Sequence, residues 1–117
     1  MQKVVINVRH GGFGLSQEAV EWLREHNYPA GEACKLAGEK YQDGSGYVNS
    51  FVAPVVPRRN DDFRTAEGLI AVVEELGDWA NGEHADLEIV EVPDSVDWTI
   101  EEYDGAEWVA EEHRTWP

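Results

Sequence analysis

The sequence is short of cysteine, of basic residues and of long apolar runs. One cysteine in 117 residues excludes an intrachain disulfide and is typical of a reducing, intracellular setting. No apolar run approaches the roughly 20 residues that a membrane-spanning helix needs, and the N-terminal residues lack the apolar core of a signal peptide. We therefore expect one cytoplasmic domain, residues 1–117, without a membrane partner.

Basic residues are scarce, since nine Lys and Arg stand against 24 Asp and Glu, and the net charge is −15. A field of this sign repels long nucleic acid and anionic membranes, which argues against both as partners. Three interpretations stay open. The acidic residues form a solvated surface, or they attract a basic protein, as an acidic inhibitor or a DNA mimic does. The third is that the protein works in a saline cytoplasm.

Motifs of known catalytic and metal sites are also missing. The histidines and the cysteine show no metal-ligand spacing, and Ser45 does not stand in a G-x-S-x-G motif. The stretch GGFGLS, residues 11–16, precedes Gln17, where a dinucleotide fingerprint needs its third glycine. A P-loop sequence is absent too. We therefore expect a protein that is not an enzyme, with no metal and no cofactor.

What the sequence does contain is an alternation of strand and helix patterns. β-branched residues predict a strand over residues 3–8, and helical spacing of apolar residues predicts helices in SQEAVEWLREHN and TAEGLIAVVEELG. Further strands are predicted in YVNSFVAPVV, DLEIVEVP, DWTIEEY and EWVAEEH. This order predicts an α+β fold, with a mostly antiparallel sheet and two helices packed on one face.

Turn and cap residues mark where these elements begin and end. Ser16 and Thr65 are predicted helix N-caps, and Gly77 is a predicted helix stop. Pro29 is expected to end the first helix region. Asp104-Gly105, between two strand-like runs, predicts a C-terminal β-hairpin.

The glycine-rich stretch is the first candidate site. One interpretation is a tight strand-to-helix turn that needs glycine for its backbone geometry. The other is an anion site built from backbone amides and the following helix N-terminus. The candidate ligand-binding residues here are Arg9, Gly11, Gly12, Phe13 and Gly14.

Arginine outnumbers lysine six to three, and guanidinium groups suit phosphate binding and stacking on flat rings. Arginines near aromatic residues predict a small pocket for a compact anion. The alternative is that each arginine pairs with one of the many acids. The further candidate ligand-binding residues are Arg58, Arg59, Arg64 and Arg114, and the aromatic residues near them in sequence are Phe13, Phe63, Trp108 and Trp116.

Several stretches together resemble a known family. KVVIN followed by GGFGLS, LEIVEVPD, and EEYDGAEWVAEEHRTW are similar to small phage and prophage proteins, a family to which we relate the Thoeris anti-defence sponges of the first type. Residues 30–60 carry no resemblance. The resemblance implies a non-enzymatic sponge in the host cytoplasm. Such a protein sequesters a small phosphate-bearing cyclic nucleotide, either a cyclic ADP-ribose isomer or a cyclic oligonucleotide, and assembles as a dimer or hexamer.

The resemblance also implies residue roles. Arg114 matches an arginine near the C-terminus that clamps or stacks on the ligand. Arg9 and His10 replace the Cys-Tyr or Cys-Phe pair that precedes the glycines in the family, so contacts at these two positions do not carry over. The sequence thus predicts a cyclic-nucleotide sponge, with an acidic inhibitor of a basic protein as the alternative.

Overall fold

The computed structural model of the protein describes residues 1–36, 38–40, 46–47, 54–57 and 61–111. This part of the chain consists of one strand, then a run of helices, then three more strands, and the strands pair antiparallel, which confirms the α+β class. In order, the elements are β1 (Gln2–Asn7), α1 (Gln17–Glu25), α2 (Pro29–Glu32), α3 (Asp61–Arg64), α4 (Glu67–Leu76), a 3-10 turn (Gly77–Ala80), β2 (Leu87–Val92), β3 (Trp98–Tyr103) and β4 (Ala106–Glu111). No helix in these residues has the length and apolarity to cross a bilayer.

β1 is a central element of the fold. It pairs antiparallel with β2 along its whole length, and its residues from Val4 to Asn7 are buried. Side chains alternate between the two faces of a strand. Val5 therefore packs against the helices, whereas Val4 and Ile6 pack on the opposite side. Burial on both faces explains the nearly continuous apolar sequence of this strand.

β3 and β4 form the predicted C-terminal hairpin, joined by the two residues Asp104 and Gly105. Both have positive φ, 51° at Asp104 and 88° at Gly105. This is the backbone geometry of a type I′ turn, whose twist matches that of the flanking strands. The hairpin prediction is therefore confirmed in position and in turn chemistry.

Within the described residues, the strands form two separate two-stranded sheets, β1–β2 and β3–β4, rather than the one predicted sheet. α1 and α4 pack on one face of β1–β2, as predicted, through Leu23 and Leu69. The hairpin packs on the other face through residues that include Ile100 and Val109. The β1–β2 pair thus lies between a helical layer and the hairpin.

Two of the four predicted helix boundaries, those at Ser16 and Gly77, are confirmed, whereas α1 ends at Glu25, before Pro29. The Ser16 hydroxyl accepts a hydrogen bond from the Ala19 amide at 3.1 Å and caps α1. Gly77, with φ of 57°, ends α4. Thr65 does not cap α4. Ala66 takes that position without a side-chain cap, because the Thr65 hydroxyl donates to a carbonyl of α3 instead.

The segment after α1 changes direction twice. α1 ends at Glu25, and Asn27 has a positive φ of 60°. Pro29 then begins the short helix α2, a position that needs no backbone N–H. Lys35 and Val55 form an isolated antiparallel bridge. Most of the strand predicted in YVNSFVAPVV lies outside the described residues.

Arg24 holds this segment against α1. Its Nε donates to the Gly31 carbonyl at 3.0 Å, and Nη2 donates to the Cys34 carbonyl at 2.8 Å. Two further hydrogen bonds, of 2.7 and 2.8 Å, join its guanidinium to the Glu39 carboxylate. These bonds, with the Leu36 amide, lower the pKa of Glu39 to about 2, and burial raises the pKa of the Cys34 thiol to about 11.

Candidate functional site

A cleft of about 500 Å³ lies between the glycine turn (residues 11–14), the start of α3 and the β3–β4 hairpin. Its volume falls within the range of about 300–1,000 Å³ that is usual for small-ligand sites. Its walls combine three distant parts of the sequence. The lining residues are Gly11, Gly12, Phe13, Asp61, Thr99, Ile100, Glu102, Asp104, Gly105 and Glu107.

The glycines of the turn are required where backbones approach closely. Gly11 and Gly12 have φ values of 131° and 113°. A Cβ on Gly11 would lie 2.7 Å from the His84 carbonyl oxygen, and a Cβ on Gly105 would clash with the Gly12 amide nitrogen. The Gly11 amide donates to the Asp104 carbonyl at 3.1 Å. The turn is thus packed between the hairpin and the loop before β2, which supports its structural interpretation.

The backbone of Gly14 lies close to a second segment of the chain, at Gly82. The Gly82 amide donates to the Gly14 carbonyl at 3.0 Å. A Cβ on Gly82 would lie 2.8 Å from the Gly14 carbonyl carbon. Gly14 is not among the lining residues of the cleft, so its position supports packing rather than ligand contact.

Asn7, at the end of β1, ties the cleft to the core. It is fully buried, and its Nδ2 donates to the carbonyls of Arg9 at 2.7 Å and Gly105 at 2.8 Å. Its Oδ1 accepts from the Asp86 amide at 2.8 Å and, at 3.3 Å, from the Arg9 amide. Sequence reasoning missed this residue. The available signal is an amide side chain at the end of an apolar strand, directly before a turn.

Glu107, a lining residue of the cleft, forms a buried ion pair with Arg64. Two hydrogen bonds, of 2.7 and 2.8 Å, join the guanidinium to the carboxylate. The side chains are only 1% and 9% exposed. Arg64 also donates to the Val5 carbonyl at 3.2 Å, and Glu107 accepts from the Asn7 amide at 2.8 Å. The pair therefore joins α3, β1 and β4.

The arginine–aromatic cluster expected from the sequence exists, but it belongs to the core. The Arg64 guanidinium carbon lies 3.7 Å from the centroid of the Phe13 ring, and Phe63 meets that ring edge-on at 6.3 Å. Arg64 is not among the lining residues, and its charge is matched by Glu107. The arrangement favours the alternative in which an arginine pairs with an acid. Direct ligand contact by Arg64 stays a prediction.

The described walls of the cleft are acidic. They carry four carboxylates, Asp61, Glu102, Asp104 and Glu107, and no basic side chain among the described lining residues. Glu107 is paired with Arg64, and Glu102 accepts from the Gly105 amide at 2.9 Å. Carboxylates concentrated in a concave site raise the local concentration of cations. Sequence reasoning missed these residues because acidic side chains occur throughout the chain.

The remaining predicted site residues fall in three groups. Gly11, Gly12 and Phe13 line the cleft. Arg9 is exposed beside the turn, and its backbone binds Asn7. The others, Arg58, Arg59 and Arg114, lie outside the described residues, as does Trp116. Their predicted ligand contacts stay predictions.

Within the described parts of the chain, no group of three or more His, Cys, Asp and Glu side chains is arranged to hold a metal ion. No protein-family model matches the chain, and no curated protein or solved structure is significantly similar to it. The resemblance to phage sponges therefore stays a prediction.

Proposed function

We propose that the protein is an acidic binding protein whose cleft receives a cationic side chain of a basic protein partner. The observation that carries the proposal is the set of carboxylates lining the cleft of about 500 Å³. The net charge of −15 supports it at long range, because an acidic protein attracts a basic one before contact. No covalent step is involved.

Asp61 and Asp104 are the carboxylates best placed to meet such a partner. Both residues line the cleft and are exposed. Asp61 begins α3, and Asp104 stands at the turn of the β3–β4 hairpin. His10 lies near Asp104, with 3.9 Å between Nδ1 and Oδ2. Under this proposal, a lysine or arginine side chain that enters the cleft is bound by both carboxylates.

The test is a calorimetric titration with a synthetic lysine-rich peptide. The variant Asp61→Asn/Asp104→Asn removes both carboxylates, and asparagine suits a type I′ turn at least as well as aspartate. Exposed ion pairs contribute about 0.2–1 kcal/mol each, so affinity should fall roughly two- to thirtyfold. Binding should also weaken as ionic strength rises above about 0.1 M, where the Debye length is about 10 Å.

The matched control is Glu25→Gln/Glu75→Gln. It changes the net charge equally at two exposed positions on α1 and α4. Its affinity should stay close to that of the parent protein. Equal losses in both variants would assign the binding to net charge alone, and the cleft would then have no special role.

A second candidate is the cyclic-nucleotide sponge. The observation that favours it is the glycine backbone in the cleft wall, where Gly11 and Gly12 both have positive φ. In addition, Arg58 and Arg59 shortly precede Asp61 in the sequence. The acidic walls oppose a phosphate ligand, so under this proposal those arginines must supply the compensating charge.

The sponge is tested by incubating the protein with cyclic ADP-ribose isomers and cyclic dinucleotides, removing free ligand and then denaturing by heat. A sponge should release the ligand intact, with nanomolar affinity, about −12 kcal/mol. Release of a chemically altered ligand would indicate an enzyme. Retention of none of these ligands would remove the sponge as a candidate.

A further inference from the structure

The β3–β4 hairpin has one face that the core does not use. In its register, Ile100 stands opposite Val109, and these residues pack on the β1–β2 sheet. Alternation then places Glu101, Tyr103 and Trp108 on the other face. This set, which we call the outer face of the hairpin, is directed away from the core.

The outer face joins two exposed aromatic rings to a carboxylate. Tyr103 is 73% exposed and Trp108 is 46% exposed. Trp108 stands directly opposite Glu101 and diagonally opposite Tyr103. Residues in such direct and diagonal positions lie within reach of one another's side chains. The register therefore brings two π faces and one negative charge together on an exposed surface.

We propose that the outer face binds an arginine side chain of the basic partner, an inference that rests on the proposed function. A guanidinium group stacks on aromatic rings and forms two parallel hydrogen bonds with a carboxylate, whereas an ammonium group does neither as well. Asp104 directly follows Tyr103 and lines the cleft, so the outer face and the cleft adjoin. One extended basic segment therefore reaches both.

The core of the same protein already contains a guanidinium group bound by an aromatic ring and a carboxylate. Arg64 lies over the Phe13 ring at 3.7 Å and binds Glu107 through its two terminal guanidinium nitrogens, Nη1 and Nη2. There a guanidinium is held by one ring and one carboxylate. The outer face presents the same groups, with a second ring added, to a partner.

A second copy of this chain fits the outer face less well than a basic segment. The net charge of −15 makes two copies repel each other. An isologous contact through this face would also place a Glu101 carboxylate of each copy in the interface. Charge complementarity therefore selects a basic partner over self-association.

The experiment compares two synthetic peptides of equal length and charge, one with Arg-Gly repeats and one with Lys-Gly repeats. The parent protein should bind the arginine peptide about fivefold more tightly, because each exposed cation–π contact contributes about 0.5–1 kcal/mol. In Tyr103→Thr/Trp108→Thr this preference should disappear, while the affinity for the lysine peptide changes less than twofold, roughly the effect of a weak surface contact. Threonine keeps the strand propensity.

Three further variants serve as controls. Trp79→Thr removes a ring that is 77% exposed in the 3-10 turn and should keep the arginine preference. Tyr103→Phe/Trp108→Phe keeps both rings and should keep it too. Glu101→Gln retains the rings but not the charge and should reduce the preference about twofold, the size of a weak exposed ion pair. This variant tests the inference if the threonine variant does not fold.

Equal binding of both peptides to the parent protein would overturn this inference and leave the proposed function standing. Binding of neither peptide would overturn both. Analytical ultracentrifugation measures whether the parent protein forms a dimer through the outer face. A dimer of the parent that Tyr103→Thr/Trp108→Thr converts to a monomer would make the outer face a self-association surface and overturn the inference.

Discussion

Asn7 and Arg64 are the buried polar and charged residues of the described chain, and each is hydrogen-bonded on more than one side. Asn7 joins the end of β1 to the hairpin turn and to the residue before β2. Arg64 joins α3 to β1 and β4. Buried polar groups cost free energy unless they are paired, so both networks specify how the hairpin is seated.

Removal of the Glu107 charge is expected to destabilise the protein strongly. Glu107→Gln removes the carboxylate that forms two hydrogen bonds with the buried Arg64 guanidinium, and breaking a buried pair of this kind costs about 3–5 kcal/mol. Urea denaturation followed by circular dichroism measures the loss. The exposed Glu111→Gln on the same strand should change stability by less than about 0.5 kcal/mol.

A double variant separates charge from packing. Arg64→Met/Glu107→Gln removes both charges and should recover much of the lost stability, because a buried ion pair adds little over apolar packing. A loss below about 1 kcal/mol in Glu107→Gln would instead show that the pair is as weak as one on the surface.

Among the elements, the glycine turn shows which structural features neighbouring residues in the sequence can predict and which they cannot. Its position between β1 and α1 follows from the sequence, as does the capping of α1 by Ser16. The reason for its glycines does not. Gly11 meets His84, and Gly12 meets Gly105, which lie far along the chain. The sequence alone leaves both a tight turn and an anion site open for these glycines. The packing of the hairpin against the turn is what favours the tight turn.

The segment held by Arg24 should respond to acid. The hydrogen bonds from Arg24 lower the pKa of Glu39 from 4.5 to about 2. A depressed carboxylate pKa means that its stabilisation is fully present above 4.5 and is lost as pH falls towards 2. We therefore expect the parent to melt at a higher temperature than Glu39→Gln above pH 4.5. This difference in melting temperature should shrink as the pH falls from 4.5 towards 2.

Glu25→Gln is the control for this titration, because Glu25 is exposed on α1 and should give a small gap at every pH. A gap between parent and Glu39→Gln that persists at the acidic end would mean that the Arg24–Glu39 pair does not stabilise the fold through its charge. Differential scanning calorimetry across this range measures both variants.

At the scale of the whole molecule, the packing of the sheet stabilises the folded state and the net charge destabilises it. The β1–β2 sheet is covered on both faces, which gives the chain two apolar clusters. The net charge of −15 opposes this compactness, because like charges repel more strongly when the chain is folded. The same charge favours approach of a basic partner.

Salt should therefore stabilise the protein. Raising the ionic strength above about 0.1 M reduces the Debye length to below about 10 Å and screens the surface repulsion. The melting temperature should rise with sodium chloride. It should rise less in Glu25→Lys/Glu75→Lys, which carries less negative charge. A melting temperature that falls or stays constant would show that surface repulsion does not limit stability.

The sequence by itself determined the α+β class, the α1 cap, the end of α4 and the Asp104-Gly105 hairpin, because each depends on residues a few positions apart. Tertiary structure alone decided that the hairpin forms its own sheet and that the cleft is acidic. It also placed Arg64 beside Glu107, 43 positions away, and Asn7 beside Gly105, 98 positions away. Hydrophobic burial brings such distant residues together, and its non-directional nature leaves no local pattern that identifies the partners.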